Sequence, residues 1–310
     1  MDTPDLRPLT IGEILDRAIA VFVRNAGLFL LALAVIAIPP AILEVILAPH
    51  GFAAPFAELQ AVLAHANDPV LIQQIMKRSQ AEQVPALLAS FVVYVGFLWE
   101  LTVAPVIAVD VFSGAVPSLR RALRVGLARY LPALVVSLGY AVVLVALLIA
   151  LFIVLIPIFI VVGLLVALSK VLGIIVGVIA GIAVLAAFVF FGCVASLSWA
   201  VAIVAVATED PNPIRAIGSG LRRTFARSLL VRSFLVGLAI YVVRFAGSLL
   251  AIAIGALLVA ITHVDALIVV PATIMSVLIT GVVMTFVTRY TIDLRIRREG
   301  LPVAPLETPA

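Results

Sequence analysis

The sequence predicts an all-α fold, a polytopic membrane helix bundle. Three observations lead there. Of 310 residues, 65% are hydrophobic and only 12% are charged, whereas a soluble domain carries roughly 25% charged residues. Several apolar runs exceed the roughly 18 residues that mark a transmembrane helix. The alternating segments of about 10 residues that mark a membrane β-barrel do not occur.

Six spans follow in chain order, at about 27–48, 86–110, 132–168, 171–207, 233–261 and 266–288. Crossing a bilayer core of about 30 Å takes roughly 20 helical residues. The third and fourth runs are longer than that. Each reads as one long tilted crossing or, broken at Pro157 and several glycines, as two, which gives eight crossings in all. Pro39-Pro40 kinks the first span. The outer loop occupies 49–85, and within it Asp68 and Pro69 open a short amphipathic helix. Residues 1–300 form a single integral membrane domain, and the proline-rich tail 301–310 is expected to be disordered. The acidic start "MDTPDLRPLT" lacks the basic region of a cleaved signal, so the first span is expected to be retained.

Three basic, helix-patterned segments alternate with the spans, at about 10–25, 117–131 and 213–230. In the last, Ile214, Ile217, Leu221 and Phe225 share one face, and Arg215, Arg222, Arg223 and Arg227 lie opposite. In the middle one, Leu119, Leu123 and Leu127 oppose Arg120, Arg121 and Arg124. In the first, Ile11, Ile14, Leu15, Ala18 and Phe22 oppose Glu13, Asp16, Arg17 and Arg24. "TIGE" supplies a capping box there, Thr10 to Glu13. Each amphipathic helix precedes a transmembrane hairpin. The chain thus reads as three repeated units of interfacial helix, span, outer turn and span.

Lys and Arg concentrate on the cytoplasmic side of membrane proteins. The four segments 1–26, 113–131, 208–232 and 289–310 hold 16 of them, and the intervening loops hold 3. Both termini and every amphipathic helix therefore belong on the cytoplasmic side. Their arginines can snorkel to lipid phosphates, at about 1 kcal/mol each near an anionic surface. Two readings stand. The helices anchor and orient the hairpins, or they form a collar that binds anionic lipid headgroups or a membrane protein partner. Nucleic acid is not an expected partner, because no aromatic stacking pattern accompanies the arginines.

Ionisable residues at membrane depth are functional candidates. Glu44 lies near the outer interface, Glu100 near the middle of the second span, Asp110 at that span's inner end, and Arg244 well inside the fifth. Glu100 and Arg244 are the candidate intramembrane polar pair, either a structural ion pair or part of a transport path. "GVIAG" (Gly177 to Gly181) suits close helix packing. Cys193 stands alone, so no disulfide or cysteine metal site arises. His50, His65 and His263 form no HExxH or close ligand cluster. No P-loop, GxSxG or nucleophile–base set is visible. No catalytic residue, cofactor or metal is expected.

The two ends, "RPLTIGEILDRAIAVFVRN" and "YTIDLRIRREG", resemble the bacterial glycerophosphoryl diester phosphodiesterase membrane-domain family, as does "IRAIGSGLRRTFARSLL". The matching positions are Arg7, Pro8, Gly12, Glu13, Leu15 and Asp16 at the start. At the end they are Asp293, Arg295, Arg297, Arg298, Glu299 and Gly300. The resemblance implies a multi-span helical bundle in the bacterial cytoplasmic (inner) membrane, of largely undefined activity. The catalytic barrel joined to some members needs about 250 residues, for which this chain has no room. Glu13 and Asp16 are expected to pair with Arg295, Arg297 and Arg298 in a network that ties the ends together. The function so read is a non-enzymatic membrane module that binds headgroups or partners. The alternative is a transporter or lipid-handling protein with a polar path near Glu100 and Arg244.

Overall fold

The computed structural model describes residues 8–47 and 69–299. Among the described residues there is no strand, and the order is α1 (Ile11–Arg24), α2 (Ala26–Leu47), α3 (Pro69–Phe112), α4 (Leu119–Ala128), α5 (Tyr130–Leu168), α6 (Lys170–Thr208), α7 (Pro213–Thr224), α8 (Leu230–Thr262) and α9 (Val269–Glu299). A short 3-10 turn at Asp265–Ile268 precedes α9. Among the described residues, six helical stretches are long and apolar enough to cross a membrane: Ala26–Leu47, Val84–Phe112, Tyr130–Leu168, Lys170–Thr208, Leu230–Thr262 and Ala266–Arg298. The chain is a multi-pass membrane protein.

The count is six rather than eight because α5 and α6 each run unbroken for 39 residues. Pro157 sits inside α5 without ending it. The physical reason is the solvent. A mid-helix proline costs about 3 kcal/mol, but a broken helix would strand several backbone groups in hydrocarbon at several kcal/mol each. At 1.5 Å per residue each helix is about 58 Å long. Ser169 caps α6, accepting from the Leu172 N–H at 3.5 Å.

The helix that opens at Pro69 is not a separate short element. It continues through Pro85 into the second span and forms one helix of 44 residues. The run "SQAEQ" before Pro85 is rich in helix formers, which sustain the helix up to and across the proline. The rest of the expected outer loop, with His50 and His65, lies outside the described residues, as do the first seven residues and the tail.

The three amphipathic helices appear as α1, α4 and α7. The capping box of α1 is formed: Thr10 Oγ1 accepts from the Glu13 N–H at 3.2 Å, and Glu13 Oε2 accepts from the Thr10 N–H at 2.7 Å. Asn212 caps α7 by accepting from the N–H groups of Ile214 and Arg215 at 3.0 and 3.3 Å. This helix stops at Thr224, earlier than its pattern suggests, so Arg227 sits in the turn that leads into α8. An amphipathic helix must give way to a turn before an apolar span can start in a new direction. At the far end of α8, His263 takes φ 57° and donates its N–H to the Val259 carbonyl at 2.7 Å. That left-handed residue closes the helix.

The chain divides into two compact units, Met1–Tyr130 with Val242–Ala310, and Leu131–Tyr241. In the first, the second half of α9 is the core: Val283 to Leu294 are all buried. Phe22 of α1 packs on Phe29 of α2, with ring centroids 5.4 Å apart. In the second, Tyr140 Oη and Ser198 Oγ share a hydrogen bond of 2.6 Å, and Trp199 Nε1 donates to Ser137 Oγ at 3.1 Å. Gly237 lies against the backbone carbonyl of Cys193, so closely that an added Cβ would overlap it.

A carbonyl inside a helix cannot shift cheaply. Gly237→Ala should therefore cost about 1–3 kcal/mol, seen as a lower thermal unfolding midpoint in detergent. Gly181→Ala adds a methyl group with nothing within 4 Å and should leave the midpoint unchanged. Equal midpoints for the two variants would contradict the close approach.

Candidate functional site

The first unit contains two adjacent cavities at membrane depth. One has a volume of about 420 Å³ and is bordered by Glu44, Glu100, Tyr94, Pro40, Phe97 and Ser276, among others. The second, of about 320 Å³, is bordered by Arg244, Ser248, Met275, Thr280, Phe97 and Ser276, among others. Phe97, Ala272 and Ser276 belong to both walls. Both volumes fall in or near the roughly 300–1,000 Å³ range of small-molecule sites.

The helices explain the placement. On α3, Tyr94, Phe97 and Glu100 recur at spacings of three, so they share a face. Ser276 and Thr280 on α9 are four apart and share another. Gly96 lets α3 approach α2: an added Cβ would lie 2.7 Å from the Pro40 side chain. Arg244 enters from α8, its guanidinium carbon 5.8 Å from the centroid of the Phe97 ring. Glu100 is only 3% exposed. Its carboxyl is hydrogen-bonded to the Thr280 side chain, and its Oε2 is buried without a hydrogen-bond partner.

Glu100 and Arg244 are thus brought to neighbouring cavities with a common wall. The Glu100 oxygen that would complete a direct pair has no hydrogen-bond partner. Thr280, Ser276, Tyr94 and Phe97 complete the site. Sequence reasoning passed over them because a lone Ser, Thr or aromatic residue in an apolar run carries no signal of its own. Their three- and four-residue spacing from Glu100 and from each other was the available clue.

Against family models, curated proteins and solved structures, the chain finds no match.

The arginines of the amphipathic helices divide into two groups. Arg121 donates to Asp110 Oδ1 at 2.7 Å, and Asp110 is buried. Arg223, itself buried, makes a two-pronged pair with Glu209 at 3.1 and 3.0 Å. Arg215 reaches Asp210 at 3.3 Å on the surface. Arg222 Nε donates to the Gly218 carbonyl at 3.1 Å while its side chain is exposed. Arg120, Arg124 and Arg227 are exposed as well. Part of the basic pattern therefore serves internal packing. The polar linker "TEDPNP" before α7 supplied Glu209 and Asp210, and its proximity to Arg223 was the legible clue.

Leu9, before the start of α1, is tied to the last turns of α9, and Asp293 is an acid that does it. Its Oδ1 accepts from the Leu9 N–H at 2.8 Å, and its Oδ2 accepts from Arg297 Nε at 2.8 Å. Arg297 Nη2 then donates to the Leu9 carbonyl at 2.7 Å. Glu13 is engaged in the capping box with Thr10, and Asp16 is exposed. Arg295 is half-buried, and Arg298 is exposed at the end of α9. Among the described residues, no group of three His, Cys, Asp or Glu could hold a metal ion.

Hydrogen bonds to a charged group contribute about 1.5–3 kcal/mol each. Asp293→Ala should lower stability by at least that amount, while Asp16→Ala should stay within about 0.5 kcal/mol. Thermal or denaturant unfolding in detergent reads both. A larger loss at Asp16 would restore the acid expected from the sequence to the central role.

Proposed function

We propose that the protein is a lipid-handling membrane protein that takes an amphiphile into the paired cavities of its first unit. The observation that carries this reading is a pair of cavities with a common wall at Phe97, Ala272 and Ser276, one bordered by Glu44 and Glu100 and the other by Arg244. Ionisable groups at membrane depth are expensive to keep there and typically mark substrate pathways. A bundle that served only as an anchor would gain by closing this space with apolar side chains. The protein's place is the bacterial inner membrane. The likeness of its two ends to the glycerophosphoryl diester phosphodiesterase membrane-domain family supports that, without bringing a catalytic role.

Ala272 borders both cavities, so Ala272→Leu should fill space in each. Lipid retained by the purified protein in native mass spectrometry should fall about tenfold relative to wild type, a loss equivalent to about 1.4 kcal/mol of binding. An unchanged melting midpoint would show that the bundle is intact. Undiminished retention in an intact variant would refute the cavity reading.

A second reading keeps support from Arg120, Arg124, Arg222 and Arg227, whose side chains are exposed on or beside amphipathic helices. Each unit thus offers exposed arginines to anionic headgroups or a membrane partner, on the cytoplasmic face that the arginine distribution favours. Cys193 is buried, so a cysteine introduced as Ser228→Cys provides an accessible thiol beside Arg227. A membrane-impermeant thiol reagent should label it only after cells are opened. Labelling from outside intact cells would overturn both the orientation and this second reading.

A further inference from the structure

The larger cavity of the first unit is acidic. Glu44 and Glu100 border it, and no Lys, Arg or His is among the described residues around it. Arg244 borders the smaller cavity, across the shared wall. It is engaged in contacts of its own, and Glu100 Oε2 has no hydrogen-bond partner beside it. We propose that the larger cavity binds the protonated amine of a lipophilic amine, with ammonium N–H groups donating to Glu100 and Glu44. The headgroup class so named rests on the lipid-handling reading and deepens it. Arg244 takes no part in the binding.

The chemistry of the ligand follows from what the cavity leaves unmet. Glu100 is 3% exposed, and its carboxyl is hydrogen-bonded to Thr280 with Oε2 left over. A buried acceptor without a partner is costly, and only a donor removes that cost. A charged N–H makes a stronger bond than a neutral one. Glu44 puts a second carboxylate on the same cavity, and two like charges in one apolar site are relieved by a cation. A water molecule would donate but bring no charge. An ammonium group carries three donors, and the hydroxyls of Ser90 and Ser276 border the cavity as further acceptors. Tyr94 borders it too, and a tyrosine ring attracts ammonium groups.

Size and depth select an organic amine with an apolar tail. A volume of about 420 Å³ is far more than a bare ion fills, since a water molecule takes about 30 Å³. A metal ion such as calcium also needs about 6–8 oxygen ligands, and no group of three acidic, His or Cys residues among the described ones could hold a metal. Exposure falls from 43% at Tyr94 to 3% at Glu100, about 9 Å further along α3. The cavity wall thus runs from the surface of the bundle inward, with Pro40, Val93 and Phe97 giving it apolar sides. A tail can lie along those sides while the amine reaches Glu100. A quaternary ammonium would bring the charge without the N–H that Oε2 requires.

Three probes with one tail separate these cases: dodecylamine, dodecyltrimethylammonium and dodecanol. Each is titrated at neutral pH into the delipidated full-length protein and followed by native mass spectrometry, with phospholipid as a fourth arm. Wild type should retain dodecylamine about tenfold better than either of the other two probes, a ratio that one charge-assisted hydrogen bond supplies. Glu100→Gln should lower dodecylamine retention about tenfold and leave dodecanol unchanged. Glu44→Gln, at a half-buried site, should weaken the same preference and serves if the first variant does not fold. If wild type retains phospholipid but dodecylamine has no advantage over one of the other probes, the amine site falls and the lipid-handling reading stands. If the amine preference survives in both glutamate variants, the amine site also falls. If wild type retains neither phospholipid nor any probe, both readings fall together.

Discussion

A carboxylate enclosed by packed helices must be met by donors or it opposes the packing. Asp293 is met twice, by the Leu9 N–H and by Arg297 Nε. Because Arg297 also reaches the Leu9 carbonyl, both backbone groups of one residue near the start of the chain are held by side chains of α9. This clasp fixes where α1 begins. The start of α1 sets the direction of its buried face, and Ile14, Ala18 and Phe22 follow into the core. Phe22 then lies against Gly281 of α9, where any larger residue would push the helices apart. The polar clasp and the apolar contact therefore secure α1 on α9 at two separated points.

The second unit is built on different terms. Between α5 and α6 buried polar groups meet in pairs, Tyr140 with Ser198 and Trp199 with Ser137. Its close approaches rely on glycine. Gly220 stands beside the Ser198 carbonyl and the Tyr140 hydroxyl, where an added Cβ would come to 2.7 Å of each. In an apolar solvent helices gain nothing by hiding hydrophobic surface from one another, so small residues and short hydrogen bonds must supply the association. The residues of α5 and α6 away from these contacts, such as Ile153, Phe159, Ile179 and Ile182, are exposed. Lipid-facing side chains of this kind need no partner.

Much of this was readable in advance, because length and hydropathy are one-dimensional properties. The spans, the N-caps at Thr10 and Asn212, and the amphipathic faces all depend on residues within a turn or two of one another. What was hidden depends on contacts made across the sequence. Asp293 looked like one charge in a basic tail, and the acids expected to oppose it were Glu13 and Asp16. Nothing local shows that α9 keeps Arg289 and Asp293 inside the core while Asp16 faces outward. Arg121 and Arg223 likewise looked equivalent to Arg120 and Arg222. Their neighbours Asp110 and Glu209 distinguish them, and those pairings depend on how the chain turns between helices. The candidate site was half legible: Glu100 and Arg244 stood out by charge, whereas Thr280 and Ser276 did not.

The threonines of α9 show that the site is a distinct place and not a general polar lining. Thr273, Thr285, Thr288 and Thr291 each donate to the backbone carbonyl four residues earlier, at 2.8, 2.7, 2.6 and 2.8 Å. Such a hydroxyl is satisfied by its own helix and asks nothing of a neighbour. Thr280, in the same helix, is hydrogen-bonded instead to the Glu100 carboxyl. Helix geometry would have allowed it the same internal bond. Its hydroxyl instead meets one of the carboxylate's oxygens and leaves Oε2 open. An acid placed only to hold helices together would be more stable with both oxygens met. An acid held by one oxygen, beside a cavity, has its position fixed and its other oxygen open.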